Sequence, residues 1–370
     1  MKIILIANTS WYLYNFRRPL LKELIVQGYE VHTISPVDGY TEKLNELGIT
    51  THNIKISRSG LSPVKDTRLM FSLFNLYRKV KPDIIHHFTV KPVIWGSIAS
   101  RLFSKIRVIN SIPGLGIVFK GNKFTKFIVT TLYKFAFRKK HKVIFQNPDD
   151  YKIFLSEKLV DEKQCSLILS SGVDTEYFVK TMKKINNTTV TFGVMARLLW
   201  SKGIREFVKA SHRIVSEFPH AKFIILGSPD LGSKDSIPLE WLEKTNSKYD
   251  YIIWIEHTED VRPFLDDIDV FVLPSYYPEG VPKSLIESAS FSLPLITTDT
   301  PGCKEVVENG CNGYLVKPND VDELVNSMKN LINDTNKRIE FGKHSRDLAI
   351  RKFDVKNVNN RTIDLYESIE

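Results

Sequence analysis

Short apolar runs rich in β-branched residues recur along the chain. They alternate with longer segments in which apolar residues return every three or four positions. Seven runs come first: Lys2–Ala7, Tyr29–Ile34, Thr50–Ile56, Asp83–Phe88, Arg107–Ser111, Lys142–Gln146 and Ser166–Leu169. Six more follow: Thr189–Met195, Lys222–Leu226, Tyr251–Ile255, Asp269–Leu273, Leu295–Thr297 and Gly313–Val316. Their apolar character suits strands covered on both faces. Helical patterns lie between them, as at Pro19–Val26, Val64–Val80 and Ile204–Glu217. The alternation predicts an α/β protein with two doubly wound, mostly parallel sheets. The polar stretch Thr181–Thr189 reads as the linker. The domains are then 1–180 and 181–354, and 355–370 is a last helical pattern with no strand to pair with. In such sheets ligands bind beyond the carboxyl ends of the strands, so two facing domains place a site in the cleft between them.

Composition changes this picture little. With 370 residues, 42% hydrophobic and 25% charged, the chain has the makeup of a soluble globular protein. No apolar run approaches the roughly 20 residues that span a bilayer. The opening Met1–Asn8 is too short for a secretory signal and reads as a strand. Three cysteines without a CxxC pair suggest a reduced, cytoplasmic setting with neither a disulfide framework nor a zinc site. Charge placement is more informative. The first 178 residues hold 27 Lys and Arg against 14 Asp and Glu, and the remainder 25 against 28. No acidic residue occurs between Asp83 and Asp149.

The chemistry concentrates in the second half. Pro274-Ser-Tyr-Tyr-Pro-Glu279-Gly-Val-Pro-Lys-Ser-Leu-Ile-Glu287 runs from a predicted strand through a loop into a helix. Pro282 suits a first helical turn, because the N–H it lacks would be orphaned there. Two carboxylates separated by seven residues, beside a glycine and a helix N-terminus, suit a polyol attached to a phosphate: carboxylates accept from hydroxyls and helix N–H groups receive the phosphate. After the strand Thr189–Met195 come Arg197 and Lys202, a cationic pair at a strand end that can grip a diphosphate. Gly193 and Gly203 would let a ligand approach the backbone.

These residues, with Leu226-Gly227, Pro301-Gly302 and Asn312-Gly-Tyr-Leu-Val316, resemble the retaining glycosyltransferases of family 4, which have the GT-B fold of two Rossmann-like domains. The resemblance implies that Arg197 and Lys202 bind the donor diphosphate and Glu287 the ribose hydroxyls. Glu279 would contact the transferred sugar, helped by the N–H groups of Gly280 and Val281. Uracil would sit near His257 and Thr258. Arg197, Lys202 and Glu279 are thus the catalytic candidates, Gly193 joins the donor set, and no metal is required. Configuration would be retained by front-face attack, with the departing phosphate accepting the proton. The final helix would cross back onto the first domain. Asp267-Ile-Asp269 matches a metal-binding DxD but precedes its strand, so it reads as structural.

The first domain departs from the commoner family pattern. Asn8–Arg17 replaces the glycine-rich loop, and Phe88 stands where many members carry a second histidine after His86, which reads as a strand-end residue. With Asn110-Ser-Ile-Pro-Gly114-Leu-Gly116, these features are similar to a subgroup adding N-acetylgalactosamine or a related sugar to undecaprenyl-diphosphate-linked glycans in bacterial surface polysaccharide, capsule, O-antigen or glycoprotein assembly. Acceptor binding then falls to Asn15, Arg17, Gly114 and Gly116. A UDP-sugar 2-epimerase with the same two domains is the alternative enzyme.

The stretch Phe119–Lys142 mixes lysines and aromatics at helical spacing. One reading lays it on an anionic membrane surface, placing the enzyme peripherally on the inner face of the cell membrane. The other turns Phe127, Val129, Leu132 and Phe135 onto the sheet and leaves the lysines to solvent. A nucleic-acid-binding protein is a third class, but no binding module is present and no nucleic-acid partner is expected.

Overall fold

The computed structural model describes residues 1–57, 60, 62–114, 123–180 and 189–368. The expected linker, 181–189, falls almost wholly outside them. Contacts divide the chain into two compact units, Met1–Ser171 with Val355–Glu370, and Gly172–Asp354.

The first unit is built on β1 (Lys2–Ile6), β2 (Glu30–Ser35), β3 (Thr50–Asn53), β4 (Ile84–Phe88), β5 (Arg107–Ile112), β6 (Lys142–Phe145) and β7 (Cys165–Leu167). They form one sheet in the order β3-β2-β1-β4-β5-β6-β7, every pair parallel. Both faces are covered, and the two-residue period of a strand decides which residue goes where. Ile3 and Leu5 of β1 pack with Leu13, Leu20 and Leu24 of the helix Ser10–Val26. Ile4 and Ile6 pack on the opposite face with Leu69, Leu73 and Tyr77 of the helix Pro63–Val80. The chain reverses direction of winding at β1, between β2 and β4.

The last helix, Val355–Glu367, belongs to this unit: Val358, Ile363 and Tyr366 enter the same core as β1. Tyr366 Oη lies 2.6 Å from His86 Nδ1, and Arg361 donates to the Leu167 carbonyl at 2.7 Å.

The second unit has β8 (Thr191–Met195), β9 (Lys222–Leu226), β10 (Ile252–Ile255), β11 (Val270–Leu273), β12 (Leu295–Thr298) and β13 (Gly313–Val316), in the order β10-β9-β8-β11-β12-β13 and again all parallel. Here the switch point is β8, between β9 and β11. Asp269 serves this pairing, its carboxylate accepting from Thr191 N–H at 2.9 Å, which gives it a structural use.

Three expectations are corrected. The first helix starts at Ser10, capped by Thr9, so Asn8–Arg17 is mostly helix and Pro19 lies inside it. A proline there forfeits a backbone bond at about 3 kcal/mol, yet the buried Leu13, Leu20, Leu21 and Leu24 hold the helix on the sheet. His86 is not at a strand end: it is fully buried in β4, between Tyr366 and Ser111. In the helix Lys123–Ala136, the sheet-facing residues are Val129, Tyr133 and Ala136, whereas Phe127 and Phe135 are 69% and 54% exposed. The buried face is the one that seats Tyr133 among Phe145 and Phe154 of the core, which turns Phe127 and Phe135 away from the sheet.

Tyr366→Phe would leave Nδ1 of the buried His86 without its partner. A buried group so orphaned costs about 1–3 kcal/mol, and equilibrium unfolding should show a loss of that size. An unchanged midpoint would mean that the pair contributes nothing to holding the last helix.

Candidate active site

The carboxyl ends of β8 and β11 carry the candidate donor residues, and the loops that follow are tied together. Behind β8, the 3₁₀ turn Trp200–Lys202 is held by Asp235, whose carboxylate accepts from the Ser201 N–H at 3.1 Å and from the Ser201 hydroxyl. The turn ends at Gly203, with φ +78°. A Cβ there would lie 2.1 Å from the Pro274 carbonyl oxygen, so only glycine lets this turn meet the loop after β11. Tyr276 N–H then donates to Ser201 O at 3.0 Å.

That loop is clamped from its other side. Glu279 N–H donates to Pro301 O at 3.1 Å, and a Cβ on Gly302 (φ +85°) would sit 1.3 Å from Gly280 O. Thr298 Oγ1 donates to the Ser275 carbonyl. Between the two clamps, Lys202 Nζ lies 2.5 Å from Glu279 Oε2, with side chains only 11% and 15% exposed. Ser275 Oγ donates to Glu279 Oε1 at 2.9 Å. The N–H groups of Gly280 and Val281 make no hydrogen bond among the described residues and precede the helix Lys283–Ser290.

The other candidates occupy different surroundings. Arg197, at the end of β8, is 62% exposed and donates to Asp230 at 2.9 Å. Glu287 is buried inside the helix, 3.5 Å from Lys283, and burial holds its carboxyl above the usual range against the pull of that lysine. His257 and Thr258 follow β10, and the His257 N–H donates to Ser228 Oγ at 3.1 Å. Gly193 is a correction. It lies inside β8, where a Cβ would come within 2.6 Å of Ile268 and 2.8 Å of Phe264, so packing rather than ligand approach explains the glycine.

The acceptor candidates lie in the first unit. Asn15 and Arg17 are on the helix Ser10–Val26, Asn15 donating to Trp11 O at 3.0 Å. Gly114 follows β5 with φ +146°, and Gly116 falls outside the described residues. Sequence reasoning missed Ser275, Asp230, Asp235 and Lys283, which contact or brace the candidate donor residues. Cys303 is buried close by, where burial and then the charge of Glu279 push its thiol up to about 12. Ser275 and Lys283 stood inside the segment that carried the motif, but nothing in their spacing marks them as partners of Glu279 and Glu287.

Residues 178–348 match the family described as "Glycosyl transferases group 1", and residues 2–147 match "Glycosyl transferase 4-like". The chain is a glycosyltransferase. A relative from Campylobacter jejuni, an N,N'-diacetylbacillosaminyl-diphospho-undecaprenol alpha-1,3-N-acetylgalactosaminyltransferase, is 27% identical over 100% of this chain and 99% of its own length. An Escherichia coli UDP-Gal:alpha-D-GlcNAc-diphosphoundecaprenol alpha-1,3-galactosyltransferase is 27% identical over 83% of this chain and 81% of its own. Among solved structures, Anabaena HepE in complex with UDP superposes with a TM-score of 0.80 at 18% identity, covering 100% of both chains. Sucrose-phosphate synthase from Thermosynechococcus elongatus gives 0.81 at 17%, covering 99% and 98%. The fold of this glycosyltransferase is GT-B.

Glu287→Gln tests the strain of the buried carboxylate. An acid whose folded pKa is raised binds its proton more tightly when folded, so stability falls as pH rises from the unfolded value of about 4.5 through the folded one. The variant should therefore melt close to wild type near pH 4 and progressively above it toward pH 7. A constant difference across that range would contradict the burial effect.

Proposed function

We propose that this glycosyltransferase moves a sugar from a UDP-sugar to a lipid-diphosphate-linked saccharide with retention of configuration and without a metal ion. The observation that carries the reading is the cluster at the carboxyl ends of β8 and β11: Lys202 against Glu279, with the unused N–H groups of Gly280 and Val281 beside them. Breaking the sugar–phosphate bond leaves negative charge on the departing diphosphate. Lys202, Arg197 and the two N–H groups are fixed donors for that charge, and preorganised donors act where charge develops. Glu279 orients hydroxyls of the transferred sugar, and Glu287 those of the ribose. His257 and Thr258 receive the base. The new bond forms on the face that the diphosphate leaves, and its oxygen takes the acceptor's proton, so no side-chain base enters the reaction. The two undecaprenol-named relatives support the choice of a lipid-linked acceptor. Acceptor binding is assigned to the first unit through Asn15, Arg17, Gly114 and Gly116, in bacterial surface glycan assembly.

A lipid-linked acceptor stays in its bilayer, and the helix Lys123–Ala136 offers a means of meeting it. Phe124, Phe127 and Phe135 are all more than half exposed and share one helical face, with Leu102 78% exposed. Lys123, Lys134 and Lys139 are exposed as well. Aromatics below and cations at the head groups suit an anionic membrane surface, and we assign the protein to the cytoplasmic face. Among the described residues no helix is long and apolar enough to cross a membrane.

The reaction is tested by mixing UDP-sugars with lipid-diphosphate sugars and following UDP. Release only when acceptor is present is expected, unaffected by a chelator. UDP-N-acetylmannosamine formed without acceptor would favour an epimerase, and full dependence on manganese would refute the metal-free reading. Arg197→Ala and Lys202→Ala should each lower turnover by about 10²–10³, the effect of losing one preorganised donor.

Binding to anionic vesicles should weaken with salt. It should weaken further in Phe124→Ser/Phe127→Ser/Phe135→Ser with Lys134→Ser and Lys139→Ser. Arg138 and Lys140 are left intact because they donate to the Arg101 and Ser104 carbonyls. Transfer to a short-chain soluble acceptor should survive. Equal loss on both acceptors would show that this face does not serve the membrane.

A further inference from the structure

The first unit has its own switch point, where β1 separates β2 from β4, and ligands of doubly wound sheets bind at such points beyond the carboxyl ends of the strands. Arg17 stands there. It is only 5% exposed, and its guanidinium carbon lies 4.4 Å from the centre of the Phe88 ring, at the end of β4. Its one hydrogen bond among the described residues runs from Nη2 to Tyr12 Oη at 3.3 Å. Nε is buried with no partner, and no carboxylate among the described residues pairs with the cation. A buried charge is ordinarily paired, because desolvation without compensation is costly.

Two neighbours add to this. Thr89, directly after Phe88, has φ +67°, which a β-branched residue rarely adopts, and its buried Oγ1 also lacks a partner. His86 cannot share the charge: burial, with Arg17 nearby, holds it well below the usual range and neutral. The helix N-terminus is already satisfied, Tyr12 N–H by Thr9 Oγ1 and Trp11 N–H by Asp38. What remains unmatched is one planar cation and one hydroxyl.

We propose that Arg17 and Thr89 form an anion receptor for the diphosphate of the acceptor substrate, with Phe88 and Tyr12 as the platform that fixes the guanidinium plane. A planar fork suits the paired oxygens of a phosphate. The donor also carries a diphosphate, but the residues that suit it lie in the second unit. The assignment to the acceptor rests on the proposed function. The receptor itself does not.

The test uses the full chain with UDP at saturation, so that the donor site is filled, and inorganic pyrophosphate as the probe. Wild type should bind pyrophosphate under these conditions, and Arg17→Met should not. Arg17→Lys, which keeps charge but loses the fork, and Thr89→Val should bind it more weakly than wild type. In transfer assays Arg17→Met should raise KM for the lipid-diphosphate acceptor by about 10- to 100-fold, the range for a charged hydrogen bond, with UDP affinity unchanged. Its melting temperature should hold or rise, because an uncompensated buried charge has been replaced by an apolar chain of similar length. A lower melting temperature with unchanged acceptor KM and unchanged pyrophosphate binding would make Arg17 structural and overturn the proposal. UDP affinity falling as acceptor KM rises would overturn the acceptor assignment. Should no lipid-linked acceptor be used at all, the pyrophosphate titration still decides the receptor.

Discussion

The ion pair between Lys202 and Glu279 is the constraint around which the second unit's site is organised. It joins a turn after β8 to a loop after β11, two segments 77 positions apart in the chain. Neither segment is held by the pair alone. Gly203 against Pro274, Gly302 against Gly280, Asp235 against Ser201 and Thr298 against Ser275 each fix the backbone from a different side. The two charges are mostly removed from water, so each depends on the other and on Ser275 for compensation. A diphosphate brought to Lys202 competes with Glu279 for the same ammonium. In the proposed reaction that competition frees the carboxylate for sugar hydroxyls as the phosphate arrives.

The two units solve a similar problem with different means. Each reverses its winding at its first strand, and each keeps cationic groups at the carboxyl ends beside that strand. In the second unit the lysine is paired internally. In the first, histidines that look chemical in sequence are structural: His86 anchors the last helix through Tyr366, and His87 is held by Tyr77 and Asn110, with burial pushing it down to about 4. Neutral at ordinary pH, and with Lys91 paired to Asp66, they leave Arg17 as the cation of that region without a carboxylate among the described residues.

The strand pattern made the fold legible. All thirteen runs contain strands: central ones such as β1 and β11 are apolar because both faces are covered, whereas the polar, partly exposed β3 is marked by its β-branched threonines and its place in the alternation. The candidate donor residues were picked out by equally local signals: Arg197, Lys202 and Glu279 follow strands, and Glu287 lies within the helix after one. What could not be read depends on contacts between distant segments. Pro19 marked a helix start by its own preference, whereas the helix begins nine residues earlier because its leucines reach the sheet. Gly193 looked like a ligand contact but makes room for Phe264 and Ile268. The pairing of Lys202 with Glu279, and the absence among the described residues of any such partner for Arg17, belong to the fold and not to any local spacing.

The most direct test of the central claim is calorimetric titration of UDP into Glu279→Gln beside its transfer rate. If Glu279 competes for Lys202 in the unliganded enzyme and acts on the sugar during reaction, the variant should bind UDP as tightly as wild type or more tightly. Transfer from the UDP-sugar should fall by about 10²-fold or more, the order of losing a preorganised contact. A loss of UDP affinity as large as the loss of transfer would contradict the account, because Glu279 would then be supporting the nucleotide site and not exchanging partners within it.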